Sequence, residues 1–274
     1  MSLILTLNET ITARLRECME AVGDEFRLSV RPIYGTPNGL RPILIGSCLL
    51  LTFEGEKYVV TAAHVLDWIP SHALYVSGVV GTEPVQIIGK IRATEEPPEG
   101  RDKDKLDIGI WRISSSEEQR LGAVKFIDAS EVSHNRATTT NRVYMAMGYP
   151  LSKNRGKINH TAHTITTVMW KFSAGVVESS ALAAALRVSG DDHFFLQYQK
   201  YLRNFQGRKV SQVNPKGMSG GPLTDLGNYS SIDNLGAEAR RTGKLAGMVI
   251  EMHKKHRALV AVNIQRIIAA IKKY

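Results

Sequence analysis

Pro215-Lys216-Gly217-Met218-Ser219-Gly220-Gly221-Pro222-Leu223 sets one serine among three glycines and runs into an apolar segment. A serine hydroxyl is a weak nucleophile and needs a base within hydrogen-bond reach. The flanking glycines permit a tight turn without side chains, which can aim successive backbone N–H groups into one pocket. Such donors hold an oxyanion, and losing one typically costs about 100- to 1000-fold in rate. This stretch therefore predicts Ser219 as a nucleophile, with the N–H groups of Gly217 and Ser219 as its oxyanion hole.

Upstream, Tyr58-Val59-Val60-Thr61-Ala62-Ala63-His64-Val65 is an apolar strand that ends in small residues and a histidine. Small neighbours allow an imidazole to lie at a cleft edge, where it can take the serine proton and return it to a leaving amine. Leu106-Asp107-Ile108-Gly109-Ile110-Trp111 puts an aspartate at the head of an apolar strand, suited to accept the second imidazole N–H and fix the tautomer. Asp102 and Asp104 are rivals, but they sit among Lys and Arg in a charged loop. Of the other histidines, His72, His134, His160, His163, His193, His253 and His256, none follows a strand in a small-residue context.

Singly, each of these residues has a plain structural reading: a histidine after a strand, a turn aspartate, a serine in a glycine turn. Together and in the order His, Asp, Ser, the three segments resemble the signatures of the chymotrypsin/trypsin-like serine peptidase family, whose order differs from those of subtilisin-like enzymes and α/β-hydrolases. The intervals are 107 − 64 = 43 residues and 219 − 107 = 112 residues, the second lengthened by an insertion. Gly46-Ser47-Cys48-Leu49-Leu50, Leu245-Ala246-Gly247-Met248-Val249-Ile250 and the final helix extend the likeness over residues 26–274.

The resemblance implies an all-β fold with peripheral helices, made of two antiparallel β-barrels with the active site in the cleft between them. It implies a serine endopeptidase acting through an acyl-enzyme, without a cofactor. It places Val213 at the floor of the substrate pocket, with Ile250, Glu251 and Met252 along its wall. Val213 is not a carboxylate and Met252 stands where the family often has glycine, so small or medium apolar residues are expected before the scissile bond. Met218 replaces the aspartate that pairs with a processed N-terminus in digestive members, and no activation site is evident near residue 1. That pattern is similar to intracellular bacterial-type members, which implies a protein or peptide substrate, a regulatory protein partner and a place in bacterial defence or stress modules.

The rest of the chain divides into an N-terminal helical extension (1–25), a first barrel (26–135) and a second barrel (136–274). A helix is expected over 9–22, ended by Gly23. Strands are expected at Phe26–Val30, Ile43–Phe53, Lys57–Ala62, Ala73–Val76, Val85–Ile91 and Asp107–Ile113. After a linker at 130–141 come Val143–Met147, Ile165–Ser173, Gly175–Val177, a helical insertion Glu178–Arg187, Phe194–Tyr198, Pro222–Thr224, Leu245–Glu251 and Ala258–Val262. A terminal helix capped by Asn263 carries Ile264, Ile267, Ile268 and Ile271 at helical spacing.

With 43% hydrophobic and 22% charged residues, the chain is neither disordered nor fibrous. Its net charge of +9 raises nucleic acid as a partner, but no reading helix or aromatic-basic stripe is evident, and none is expected. The densest run, His253-Lys254-Lys255-His256-Arg257, reads as a solvated hairpin turn. Two cysteines, Cys18 and Cys48, give no disulfide framework and read as small buried residues. No metal-ligand spacing, signal peptide or transmembrane run is evident, so a metal-independent, cytoplasmic protein away from membranes is expected. The competing reading is a catalytically silent copy of the fold that acts as a protein-binding module.

Overall fold

The computed structural model describes residues 6–37, 41–79, 82–133, 141–155, 158–159, 164–177, 180–203, 206–229, 235–236 and 242–273. The first sheet is built from β1 (Val30–Pro37), β2 (Ile43–Phe53), β3 (Glu56–Ala62), β4 (His72–Val76), β5 (Val85–Gln86), β6 (Ile91–Ala93), β7 (Ile108–Arg112) and β8 (Ile127–Asp128). Its order is β5-β4-β1-β2-β3-β7-β6, with β8 joined parallel to β2. The second half contributes β9 (Arg142–Gly148), β10 (Ile158–Asn159), β11 (Thr164–Ile165), β12 (Trp170–Gly175), β13 (His193–Gln197), β14 (Tyr201–Arg203), β15 (Lys209–Ser211), β16 (Pro222–Asn228), β17 (Lys244–His253) and β18 (Ala258–Asn263). Six of these form one antiparallel sheet, β12-β9-β16-β17-β18-β13; β10–β11 and β14–β15 are separate pairs. The two large sheets curl into half-barrels, consistent with a chymotrypsin-like two-barrel fold.

The strands read as unbroken apolar runs because both of their faces are buried. Along β2, Cys48 and Leu50 point into the first half-barrel beside Ile33, Val59, Leu74 and Trp111. Leu49 and Leu51 point the other way, into a layer shared with Met145, Met147, Met248, Ile250 and Val262 of the second sheet. The second half-barrel has its own interior of Tyr144, Phe172, Phe194, Leu196, Leu223, Val249 and Leu259. Alternation therefore separates two hydrophobic environments rather than core from water. Cys48 and Cys18 are buried free thiols, and burial pushes the Cys48 thiol up to about 12.

The helices are α1 (Leu7–Phe26), α2 (Ala63–Leu66), α3 (Ser115–Leu121), α4 (Leu151–Asn154), α5 (Ser180–Leu186) and α6 (Ile264–Lys272). A capping box of Thr6 and Glu9 starts α1, which runs past Gly23 to Phe26 instead of stopping there. Gly23 gives room to a crossing side chain: a Cβ there would lie 2.4 Å from Cδ of Lys171. The expected strand over Phe26–Val30 is lost for the same reason, since Cys18, Val22 and Phe26 continue one buried helical stripe. The expected Val85–Ile91 strand is split by Gly89, whose φ of 83° breaks extended backbone. The terminal helix is capped by Asn263 as expected. Parts of the linker (134–140) and of the helical insertion (178–179) lie outside the described residues, as do Asn38 and Gly39.

One buried ion pair fastens the second sheet. Asp225 on β16 is 4% exposed and takes Arg142 of β9 at 2.9 Å from Nε and 2.7 Å from the second guanidinium nitrogen. The Ser133 hydroxyl donates to the same carboxylate at 3.1 Å. Breaking a buried pair costs about 3–5 kcal/mol. Arg142 keeps some contact with water, so Asp225→Ala is expected to cost about 2–3 kcal/mol, measured by urea unfolding. A loss below about 0.5 kcal/mol would mean that solvent screens the pair.

Candidate functional site

The Ser219 loop is shaped by backbone contacts that admit no side chains. Pro215 to Met218 form a turn closed by the Met218 N–H donating to the Pro215 carbonyl at 2.8 Å, with Gly217 at φ 99° in the third position. That is the type II pattern, which favours glycine there. A Cβ on Gly220 would lie 2.0 Å from the Ser47 carbonyl oxygen, and one on Gly221 2.0 Å from that of Met147. Met218 is fully buried in the second half-barrel and anchors the loop from within. Among the described residues, the N–H groups of Gly217 and Ser219 have no acceptor, whereas those of Met218, Gly220 and Gly221 are all bonded.

The first sheet supplies the clamp. Ser47 on β2 donates its N–H to the Ser219 carbonyl at 2.9 Å and its hydroxyl to the Gly217 carbonyl at 2.8 Å, while its Oγ accepts the Tyr149 N–H at 2.9 Å. Gly46 allows the close approach, since a Cβ there would lie 2.8 Å from Val65 and 3.3 Å from the Ser219 oxygen. Sequence reasoning placed Gly46-Ser47-Cys48 on a strand but missed this role for Ser47. The available signal was a small polar residue inside the apolar run Ile43–Phe53.

His64 lies in the single turn of α2, directly after β3. Its Nδ1 meets Asp107 Oδ2 at 2.6 Å, and its backbone N–H donates to Asp107 Oδ1 at 2.9 Å. The Asp107 carbonyl accepts the Ala63 N–H at 3.0 Å, so one residue holds the start of α2 by three contacts. Asp107 itself sits at φ 48°, just before β7, a left-handed position that Asp tolerates better than most residues. Its side chain is 9% exposed, whereas that of His64 is 39% exposed. Asp104 instead binds Arg101 and Thr94, and Asp102 pairs with Lys103. His193 is buried between the carbonyls of Lys105 and Ser189, and His253 contacts Glu251. His72 meets the Trp68 ring edge-on, and His134, His160 and His163 lie outside the described residues.

The Ser219 hydroxyl donates to the Ile250 carbonyl at 3.0 Å rather than to His64. Ile250, Glu251 and Met252 follow on β17, beyond the point where β16 begins to pair at Pro222↔Met248. This part of β17 pairs with β18 on one side, through Glu251↔Val260 and Met252↔Leu259, and has no β16 partner on the other. Among the described residues it is an edge to which an extended segment can be added. Val213 is half-buried, and its carbonyl accepts the Tyr198 hydroxyl.

Desolvation opposes charging His64, but the hydrogen bond and charge of Asp107, with smaller contributions from Asp67 and Glu251, outweigh it and raise its pKa above 6.5. For folding, a raised histidine stabilises fully below the unfolded pKa, and that stabilisation is lost as pH rises through the folded one. For a reaction that needs the neutral imidazole the sign reverses: the rate climbs through the same pKa. The acid limb of kcat/KM is expected above pH 6.5, moving down in Asp107→Ala. An acid limb at or below 6.5 would show that Asp107 does not govern His64.

Among the described residues no group of three or more His, Cys, Asp or Glu could hold a metal ion, and no helix is long and apolar enough to cross a membrane. No protein-family model and no curated protein matches the chain. Among solved structures, a thermostable serine protease from an extremophilic microorganism aligns over 86% of this chain and 90% of its own, with a TM-score of 0.46 and 9% identity. At that level of likeness the chemistry of the site rests on its own geometry.

Proposed function

We propose that the protein is a serine endopeptidase with Ser219 as nucleophile, His64 as general base and Asp107 as the group that orients it. The observation that carries this reading is the His64–Asp107 pair, which commits Nδ1 to the carboxylate at 2.6 Å and leaves Nε2 as the basic nitrogen. Substrate adds to the edge of β17 at Ile250–Met252. The Ser219 hydroxyl turns from the Ile250 carbonyl, gives its proton to Nε2 and bonds the scissile carbonyl carbon. The unbonded N–H groups of Gly217 and Ser219 receive the oxyanion. His64 then protonates the departing amine as the C–N bond breaks, and water attacks the remaining ester by the same steps in reverse.

The resting bond from Ser219 to Ile250 is what favours the silent-module reading, because a parked hydroxyl does not react. Fluorophosphonate labelling separates the two. Stoichiometric labelling of the wild-type protein at Ser219 supports the peptidase, and its absence supports the module.

Specificity follows from Val213 and Met252. Met252 packs against the interior of the second half-barrel and narrows the space a side chain can enter, while Val213 offers no carboxylate. Each methylene admitted or excluded is worth about 1–3 kcal/mol. Peptide-library profiling is expected to show cleavage after Ala, Val or Leu; dominant cleavage after Lys or Arg would displace Val213 from the pocket floor. A protein substrate, a regulatory protein partner and a cytoplasmic place in a bacterial defence module complete the proposal.

A further inference from the structure

Several cations elsewhere on this molecule have an acidic partner. Lys57 meets Glu118, Arg101 meets Asp67 and Asp104, Arg112 meets Glu56, Arg142 meets Asp225 and Arg266 meets Asp192. Another group lies beside the candidate substrate pocket. Lys200, Lys209, Lys254, Lys255 and Arg257 are all exposed and have no ion pair with any described residue. The segments that carry them hold no counter-charge: residues 193–224 and 252–274 contain neither Asp nor Glu. Glu251 stands between the two segments and is turned to His253.

These cations belong to one surface. The Tyr198 N–H donates to the Arg257 carbonyl at 2.7 Å, which seats the β17–β18 turn against the end of β13. The Tyr198 hydroxyl reaches the Val213 carbonyl, and the Gln212 N–H bonds the Lys200 carbonyl at 2.9 Å, so the β14–β15 pair is joined to the pocket floor. On that pair, the ammonium groups of Lys209 and Lys200 lie 4.5 and 5.4 Å from the centroid of the same ring, Tyr201, which is 43% exposed. Holding like charges together on one side chain costs energy unless an anion shares the site.

The direction of β17 sets where the charges act. The strand leads from Ile250, beside Ser219, to His253 and then to the turn. At about 3.3 Å per residue, Lys254 and Lys255 stand about four to five positions, roughly 13–17 Å, along an added strand from the scissile bond. We propose that this surface selects an acidic segment of the protein substrate, about four to six residues upstream of the bond cut. The proposal rests on the peptidase reading of the same site. Clustered charge of one sign at a cleft mouth raises the local concentration of oppositely charged ligand and its association rate.

The test uses two fluorogenic peptides that share the best uncharged cleavage sequence and carry four Glu or four Gln residues at those upstream positions. At low salt the Glu peptide is expected to be cut with at least tenfold higher kcat/KM, through KM and not kcat. The preference is expected to fall several-fold by 0.5 M salt and to vanish in Lys254→Glu/Lys255→Glu, which retains full fluorophosphonate labelling. Equal rates for both peptides in a protein that labels normally would overturn the acidic-segment proposal and leave the peptidase reading intact. If the protein does not label, fluorescence anisotropy of the Glu peptide reads the surface alone. Salt-sensitive binding that Lys254→Glu/Lys255→Glu removes supports the proposal, and no binding overturns it. An oligonucleotide of equal charge that binds tenfold tighter than the Glu peptide would also overturn it, in favour of nucleic acid.

Discussion

Ser219→Ala is expected to abolish fluorophosphonate labelling and to lower peptide cleavage by about six orders of magnitude, the loss typical when the nucleophile of such a unit is removed. The remaining rate would come from the N–H groups of Gly217 and Ser219, which the substitution retains. Stability is expected to change by less than about 1 kcal/mol, since the hydroxyl makes one hydrogen bond, to Ile250, and the backbone clamp by Ser47 uses only main-chain atoms of residue 219. Unchanged labelling in a folded Ser219→Ala protein would remove Ser219 from the mechanism. Pairing this variant with His64→Ala is expected to cost little beyond the worse single variant, because the groups act as a unit.

Asp107→Asn is expected to lower kcat by about 10⁴-fold with little change in fold. Asparagine suits the left-handed backbone at φ 48° as well as aspartate does, and its oxygen can still accept the His64 backbone N–H. The amide N–H₂ then faces Nδ1 and donates to it, which moves the ring proton to Nε2 and removes the base from the side that needs it. Asp102→Asn is the control, because Asp102 pairs with the neighbouring Lys103 and has no contact with His64. A loss below tenfold in Asp107→Asn would show that His64 is oriented by something else.

The strands were legible where burial dominates. Ile43–Phe53 was placed to the residue because eleven mostly apolar residues between Pro and Gly-containing turns have no other stable arrangement. Two departures fall where a single glycine has two readings, and the strand expected over Ile165–Ser173 is divided into Thr164–Ile165 and Trp170–Gly175. Gly23 looked like a helix terminator but makes room for Lys171, and Gly89 divides a strand that composition alone leaves continuous. Two short helices, α2 and α4, carry too few residues for periodicity to register.

At the candidate site, residue types were readable and their contacts were not. Order and local context singled out His64, Asp107 and Ser219, because a small-residue strand end, a strand head and a glycine turn are local features. Residues 47 and 217 are 170 positions apart, and no periodicity links them. Only the folded chain makes Ser47 the clamp on the Ser219 loop, leaves β17 without a β16 partner beyond Val249 and turns the Ser219 hydroxyl to Ile250. The same holds for the cations: the sequence displays them in separate runs, and Tyr198, bonded to both Arg257 and Val213, links the segments that carry them. Local chemistry is written in neighbouring residues, whereas a site depends on long-range pairings that burial of both sheet faces selects.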